Sequence, residues 1–491
     1  MRQLSLGVII LFVFAQTACV MQKNPISGQK RAYGYSWEEE VKLGQENDKQ
    51  IVAQYGLLQD KELAAYVDSL GQAILSYSHL RREDTPKMYS ETPFTFRVLN
   101  TPVVNAFALP GGFVYITRGL LNHLNNEAQL AVVLGHEIGH VAARHASQRA
   151  LEQKAGQFAL IGGAVVGEQF GFSAQNVMQL GGQAAQLLFM SYSRDDERES
   201  DRVGVEYAAM AGYQAEEAAG FFESLKRLSE QSGNGTPTLL SSHPDPGDRY
   251  NTMFKLAEKW EEQGYKQTKI KTNSYKQRVA GLTYGNNPRE GFTQNNTFYH
   301  PELAFQFDVP EGWNVQNQPT QVVLFNGDQN AIMQFALAQD AASPGQLVSS
   351  FLSQEGVTSV SNESISINGF PAQRGTATAV QENSTLWIQF TAIEKDGQIY
   401  QFLAYTQEPS KAQFEPAFIS ISGSFARVTN ESVLNIQPPK ITIVRAGTAQ
   451  PFIQIAQREA SDYDLTTLAI LNQVETDEQI PAGTLLKFPK Q

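Results

Sequence analysis

Cysteine is almost absent from this 491-residue chain: Cys19 is the only one, so no disulfide can form within it. Positive charge is also scarce, with 38 Lys and Arg against 50 Asp and Glu and a formal net charge of -12. That argues against nucleic acid as a partner, because such binding needs a basic face or stripe. Long apolar runs are missing too. The longest, Leu4 to Ala15, falls short of the roughly 20 residues a membrane-spanning helix requires. The patchily apolar stretch from Ala155 to Met190 is interrupted by Glu168. There is no long internal repeat and no low-complexity tract. What remains is an ordinary globular composition, 42% apolar, in a chain long enough for two to four domains.

The N-terminus carries the first positive signal. Met1-Arg2-Gln3 supplies a short basic start, the apolar run follows, and Gln16-Thr17-Ala18 places small residues just before Cys19. This pattern predicts an export signal over residues 1–18. It resembles a lipobox, with Gln16 where such motifs carry a Leu-like residue. It implies that Cys19 is lipidated and tethers a periplasm-facing protein to a bacterial envelope membrane, the outer one.

Hydrophobic periodicity then predicts helices over Ser36–Ile51 and Asp60–Leu75, the second with Leu63, Val67, Leu70 and Ile74 on one face. Phe94, Phe96 and Val98 alternate as in a strand. Val103 to Leu109 and Phe113 to Thr117 read as extended segments around the turn signal Pro110-Gly111-Gly112. A helix capped by Asn125 or Asn126 should run to about Arg149, another should cover Ser193 to Met210, and a third should start near Asp248. Residues 268–293 are polar and mixed and read as a linker. Beyond them strand patterns dominate, including a hairpin at Asp396-Gly397. A last unit follows Pro438-Pro439.

The sharpest feature is His136-Glu137-Ile138-Gly139-His140 inside a predicted helix. Histidines at i and i+4 share one face, so both imidazoles can reach one tetrahedral metal ion. Glu137, between them, is placed to take a proton from a water that the metal activates. A catalytic zinc needs a third protein ligand and an open position. A His ten residues after the first is excluded, since Ala146 stands there and His145 is one residue out of register. The alternative is a carboxylate from Glu197-Arg198-Glu199-Ser200-Asp201. Glu197 and Asp201 share a face, with Glu199 on the opposite side. Glu197 is therefore the expected ligand, and Asp201 the acid that accepts the free N–H of a ligating histidine.

These residues carry a resemblance. His136 to His145, Ser193-Arg194, Glu197 to Gly204, Asn105 to Gly112 and Gly119-Leu120-Leu121 are similar to the CAAX-prenyl-protease-like gluzincins, peptidase family M48. Asn24 to Gly28 with Glu39-Glu40 and Leu43-Gly44 resembles that family's soluble periplasmic branch. The resemblance covers roughly residues 24 to 265. It implies one Zn2+ per chain on His136, His140 and Glu197, Glu137 as general base, and Asp201 as supporting acid or proton donor. It also implies that His243, in His243-Pro244, either approaches the zinc and holds the enzyme inactive or assists the reaction. Substrate would lie extended along Asn105, Ala106, Phe107 and Ala108, with Arg249 beside it.

Phe305 to Trp313 resembles the opening strand of PsbP-like domains. Ile443 to Thr448, with Leu471-Asn472 and Ile480 to Gly483, resembles a LysM module, which implies either a peptidoglycan-binding or a structural unit. The expected architecture is α+β and multidomain. A signal (1–18) precedes a mainly helical zincin-type peptidase domain with a small edge sheet (19–267), a linker (268–293), a PsbP-like α+β domain (294–428) and a LysM-like module (440–491). The expected function is zinc-dependent endoproteolysis of unfolded or misassembled envelope proteins. The rival is a chaperone-like or wall-anchored binding protein with a latent metal site.

Overall fold

The structure, a computed structural model, describes residues 19–152, 192–231, 239, 243–244, 248–338, 341–381 and 384–491. The expected signal and the segment from Ala155 to Met190 lie outside these. The described chain forms two compact units, Met1–Gly285 with Pro439–Gln491, and Asn286–Pro438. Among the described residues no helix is long and apolar enough to cross a membrane.

In the first unit, local chemistry sets the helix starts. Ser36 and Glu39 form a capping box at the head of Trp37–Tyr55, and Asp60 caps Lys61–Leu75 by accepting from the Leu63 amide. Leu63, Val67, Leu70 and Ile74 are all buried in one core with Phe94, Phe96 and Val98. A three-stranded sheet places Phe113–Thr117 in the centre, parallel to Thr95–Leu99 and antiparallel to Ala106–Leu109. Gly111 and Gly112 make the turn with φ of 78° and 103°, which a side chain would strain.

Two expectations change here. The helix capped by Asn126 runs Glu127–Ala143 and does not continue unbroken to Arg149: Arg144 adopts a left-handed φ of 63°, and helical backbone resumes at His145. The stretch 268–293 is not a linker. Thr272–Val279 is a helix with Tyr275, Lys276 and Val279 buried. The Tyr275 hydroxyl donates to Leu121 O at 2.7 Å, and Lys276 Nζ to Leu485 O at 2.7 Å. Three inward residues in a polar octet leave too thin a pattern to read.

The C-terminal stretch has its own small core around Phe452, Ile455, Leu468 and Phe488, yet it belongs to the first compact unit instead of standing apart. Lys487, fully buried, donates to the carbonyls of Asn122 and Leu124. Gln473 donates to His123 O at 3.0 Å, and Arg227 donates to Val474 O at 2.9 Å. The polarity of Lys487 and Gln473 is plain in the sequence; their distant backbone partners are not.

The second unit is wider than 294–428. It holds a seven-stranded antiparallel sheet ordered Val357–Ile367, Phe370–Gln381, Ser384–Lys395, Gln398–Gln407, Ala331–Leu337, Gln321–Asn326 and Trp313–Asn317. The hairpin turn falls at Asp396 and Gly397, both with positive φ, as a two-residue turn matching strand twist demands. One face buries Phe305, Phe307, Phe335, Phe402 and Phe418, and the other packs Val348 and Leu352 against Phe390.

Candidate metal centre

Two helices cross to build the site. Glu127–Ala143 and Arg194–Met210 meet where neither has a side chain: a Cβ on Gly135 would lie 2.7 Å from Gly204 O, and one on Gly204 would lie 2.7 Å from the His136 amide nitrogen. This backbone contact brings the residues one turn either side into register. Asn126 caps the first helix on the Gln129 amide. Ser193 and Asp196 form a capping box on the second.

The facing side chains are His136, His140 and Glu197, joined by His243 from a separate segment. One ligand atom of each lies within 4.8 Å of every other, and all four residues are buried. His136 Nε2 is 2.9 Å from His140 Nε2 and 3.4 Å from His243 Nδ1. Glu197 is 3.4 Å from each of the first two histidines and 3.1 Å from His243 Nδ1. Glu137 Oε1 is 3.7 Å from His243 Nε2. Glu137 Oε2 and His243 Nε2 are buried with no hydrogen-bond partner among the described residues, a cost rarely left standing without a ligand's use for the atoms. Two or three imidazoles and a carboxylate converging this tightly form a donor set that suits zinc. The residues fit the metal.

Electrostatics agree. Burial pulls His136 down, but hydrogen bonds and charge from Asp201 and Glu197 outweigh it and raise it to about 10. Burial drives His140 well below its ordinary value. Burial opposes ionisation of Glu197, yet the neighbouring His243, His136 and His140 hold its carboxyl far below the usual range. Burial raises Glu137 against the pull of His243 and His136, the direction a general base needs. A protonated His136 beside the ionised Glu197 makes a pocket poised to exchange a proton for a cation.

Behind these donors, His136 Nδ1 donates to Asp201 Oδ1 at 2.9 Å. Arg249 donates to both Asp201 oxygens at 2.9 and 2.6 Å and to Glu197 at 3.3 Å. Arg249, expected beside substrate, thus lies within the site itself. Its buried guanidinium is turned onto the site's carboxylates and lies over the Phe222 ring at 4.2 Å. Glu199 is not in the cluster; it faces His145 at 3.3 Å. Ala106, Phe107 and Ala108 lie on an edge strand, and Asn105 just before it; its one sheet partner among the described residues is Phe113–Thr117. Ala106 and Phe107 are buried, Phe107 stacked on Tyr115, so backbone rather than these side chains is what that edge offers. Cys19 is exposed. Tyr192, which no spacing signals, stacks on His140 with ring centroids 4.0 Å apart.

Comparison with known proteins agrees with the motif. The profile of Peptidase family M48 matches residues 78–257. The beta-barrel assembly-enhancing protease of Escherichia coli K12 is 29% identical over 46% of this chain and 45% of its own length. The mitochondrial metalloendopeptidase OMA1 of Arabidopsis thaliana is 35% identical over 34% and 32%. The chain thus spans less than half the length of these curated relatives. The solution structure of cyanobacterial PsbP from Synechocystis aligns over 27% of this chain and 91% of its own, at 12% identity and a TM-score of 0.23, too low to assign a fold. Over residues 78–257, this chain is similar to peptidase family M48.

Proposed function

We propose that this chain is a zinc-dependent metalloendopeptidase of the bacterial cell envelope, cutting unfolded or misassembled proteins. The observation that carries this is the buried convergence of His136, His140 and Glu197 with Glu137 beside them. The three hold one Zn2+, which when bound supplies Lewis-acid polarisation of the scissile carbonyl and acidifies water. Glu137 takes the proton of the attacking water and delivers it to the leaving amine. Asp201 fixes the His136 ring through Nδ1, and Arg249 holds Asp201. An extended peptide adds to the Asn105–Ala108 edge by backbone hydrogen bonds, which selects chains without fixed tertiary structure.

His243 is the gate. With its Nδ1 3.1 Å from Glu197, it completes a four-donor set of the closed, structural kind, and releasing it opens the position catalysis needs. Residues 1–18 direct export, lipidated Cys19 anchors the protein to the outer membrane, and the LysM-like stretch contacts peptidoglycan. The envelope role draws support from the name of the Escherichia coli relative, and endopeptidase action from that of the Arabidopsis one.

The test is cleavage of an unfolded protein by the purified chain, with and without a zinc chelator, beside His243→Ala. Expected are cleavage lost with chelator, restored by zinc, and faster in His243→Ala at one zinc per chain. Chelator-resistant cleavage would refute the metal mechanism, and no cleavage by either protein when zinc-loaded would favour the binding-protein alternative.

A further inference from the structure

His145 and Glu199 carry the least obvious role in this molecule. In an unbroken helix, at about 100° per residue, His145 would project roughly 140° away from His140. The left-handed Arg144 breaks that helix, and the turn brings the His145 ring back, with its Nδ1 2.9 Å from His140 Nδ1. Two facing imidazole nitrogens allow one bond only if one donates and the other accepts. His140 Nε2 faces the cluster, 3.4 Å from Glu197, so its lone pair belongs there and its proton sits on Nδ1. His145 Nδ1 then accepts, and its own proton sits on Nε2. That nitrogen points at two acceptors, Glu199 Oε2 at 3.3 Å and Asp196 Oδ1 at 3.6 Å. The carboxylates are themselves restrained, Asp196 by Arg149 at 3.1 Å and Glu199 by Arg31 and Arg202, each at 4.0 Å. His145 is buried, so no solvent competes for either ring nitrogen.

We propose that His145, backed by Glu199, is a positioning residue for His140: it fixes that ring's tautomer and orientation so that Nε2 faces the metal. His136 has the corresponding support in Asp201 and Arg249. The two ligating histidines are thus held by different devices, one a charged acid–arginine pair and the other a neutral imidazole relay. The proposal rests on the metal assignment above.

Zinc affinity of the full chain, by competition with a chromophoric chelator, and the visible spectrum of the cobalt(II)-loaded protein test it in His145→Leu, His145→Asn and Glu199→Ala. His145→Leu keeps volume and removes the acceptor; His145→Asn keeps an acceptor at the Nδ1 position. Expected are zinc binding weaker by about 10–100-fold in His145→Leu with an altered cobalt spectrum, recovery of most of that loss in His145→Asn, and a smaller loss in Glu199→Ala. Wild-type affinity and spectrum in His145→Leu would overturn it, as would His145→Asn binding no better than His145→Leu. Should His145→Leu fail to fold, Glu199→Ala decides: unchanged affinity and spectrum there overturn the relay. A wild-type chain that takes up no zinc refutes the metal assignment itself, a separate failure.

Discussion

Buried polar groups are treated in opposite ways at the helix crossing of the first unit and on the large sheet of the second. At the helix crossing of the first, His136 is answered by Asp201, Asp201 by Arg249, and His140 by His145. The partnerless atoms there, Glu137 Oε2 and His243 Nε2, belong to the reacting centre. In the second unit, the side chains of Gln389 and Thr391 are buried on the sheet with no hydrogen-bond partner among the described residues, amid a core rich in Phe side chains. The contrast separates two kinds of order. One is a network whose members specify each other, so that removing any one strands the rest. The other is apolar packing that tolerates an occasional unsatisfied amide.

The largest effect expected from this contrast is on the metal. Glu197→Ala should weaken zinc binding beyond the roughly 10–100-fold typical of an outer partner, while Glu199→Ala stays inside that range. Bound zinc per purified chain checks it. Equal losses would mean that the two acids are not divided as their positions suggest.

The choice of Glu197 over Glu199 was legible because a ligand and its supporting acid must share a helix face, and one turn separates Glu197 from Asp201. The role of His145 was not, because periodicity assumes a continuous helix and nothing in Val141-Ala142-Ala143-Arg144 announces a left-handed residue. Arg249 was legible as part of the site but not as a brace, since its partners lie about fifty residues away. In the second unit, alternation exposed several of the strands, because a half-buried sheet repeats every two residues, and the Asp396-Gly397 pair marked the turn between two of them. The buried face of Thr272–Val279 and the partners of Lys487 depend on tertiary contacts that no local pattern encodes.

A second, smaller effect concerns pH. Burial lowers His123 to about 4 from 6.5, with the Gly119 carbonyl opposing and Lys487 adding to the shift. The folded state therefore binds this proton less readily than the unfolded chain. The resulting stability is present above pH 6.5 and is lost as pH falls towards 4, by about 3 kcal/mol for a shift of this size. His123→Asn, which keeps a donor for the Gly119 carbonyl, should lose less stability between pH 7 and 4 in urea unfolding. An acid dependence identical to wild type would remove His123 from the account.

The smallest effect is expected in the second unit. Gln389→Leu replaces an unpaired amide with apolar volume and should leave that unit's stability unchanged or raise it by about 1 kcal/mol. A drop beyond about 2 kcal/mol in chemical unfolding would show that Gln389 is satisfied in solution, and the contrast between the units would narrow.

The central claim is that Glu137 moves the proton at a zinc held by His136, His140 and Glu197. The most direct measurement is the cleavage rate of an unfolded protein by zinc-replete Glu137→Gln beside wild type, with zinc per chain determined on the same samples. The account predicts one zinc per chain in both and a rate at least about 100-fold lower in Glu137→Gln. Cleavage near the wild-type rate by a Glu137→Gln chain carrying its full zinc would contradict it.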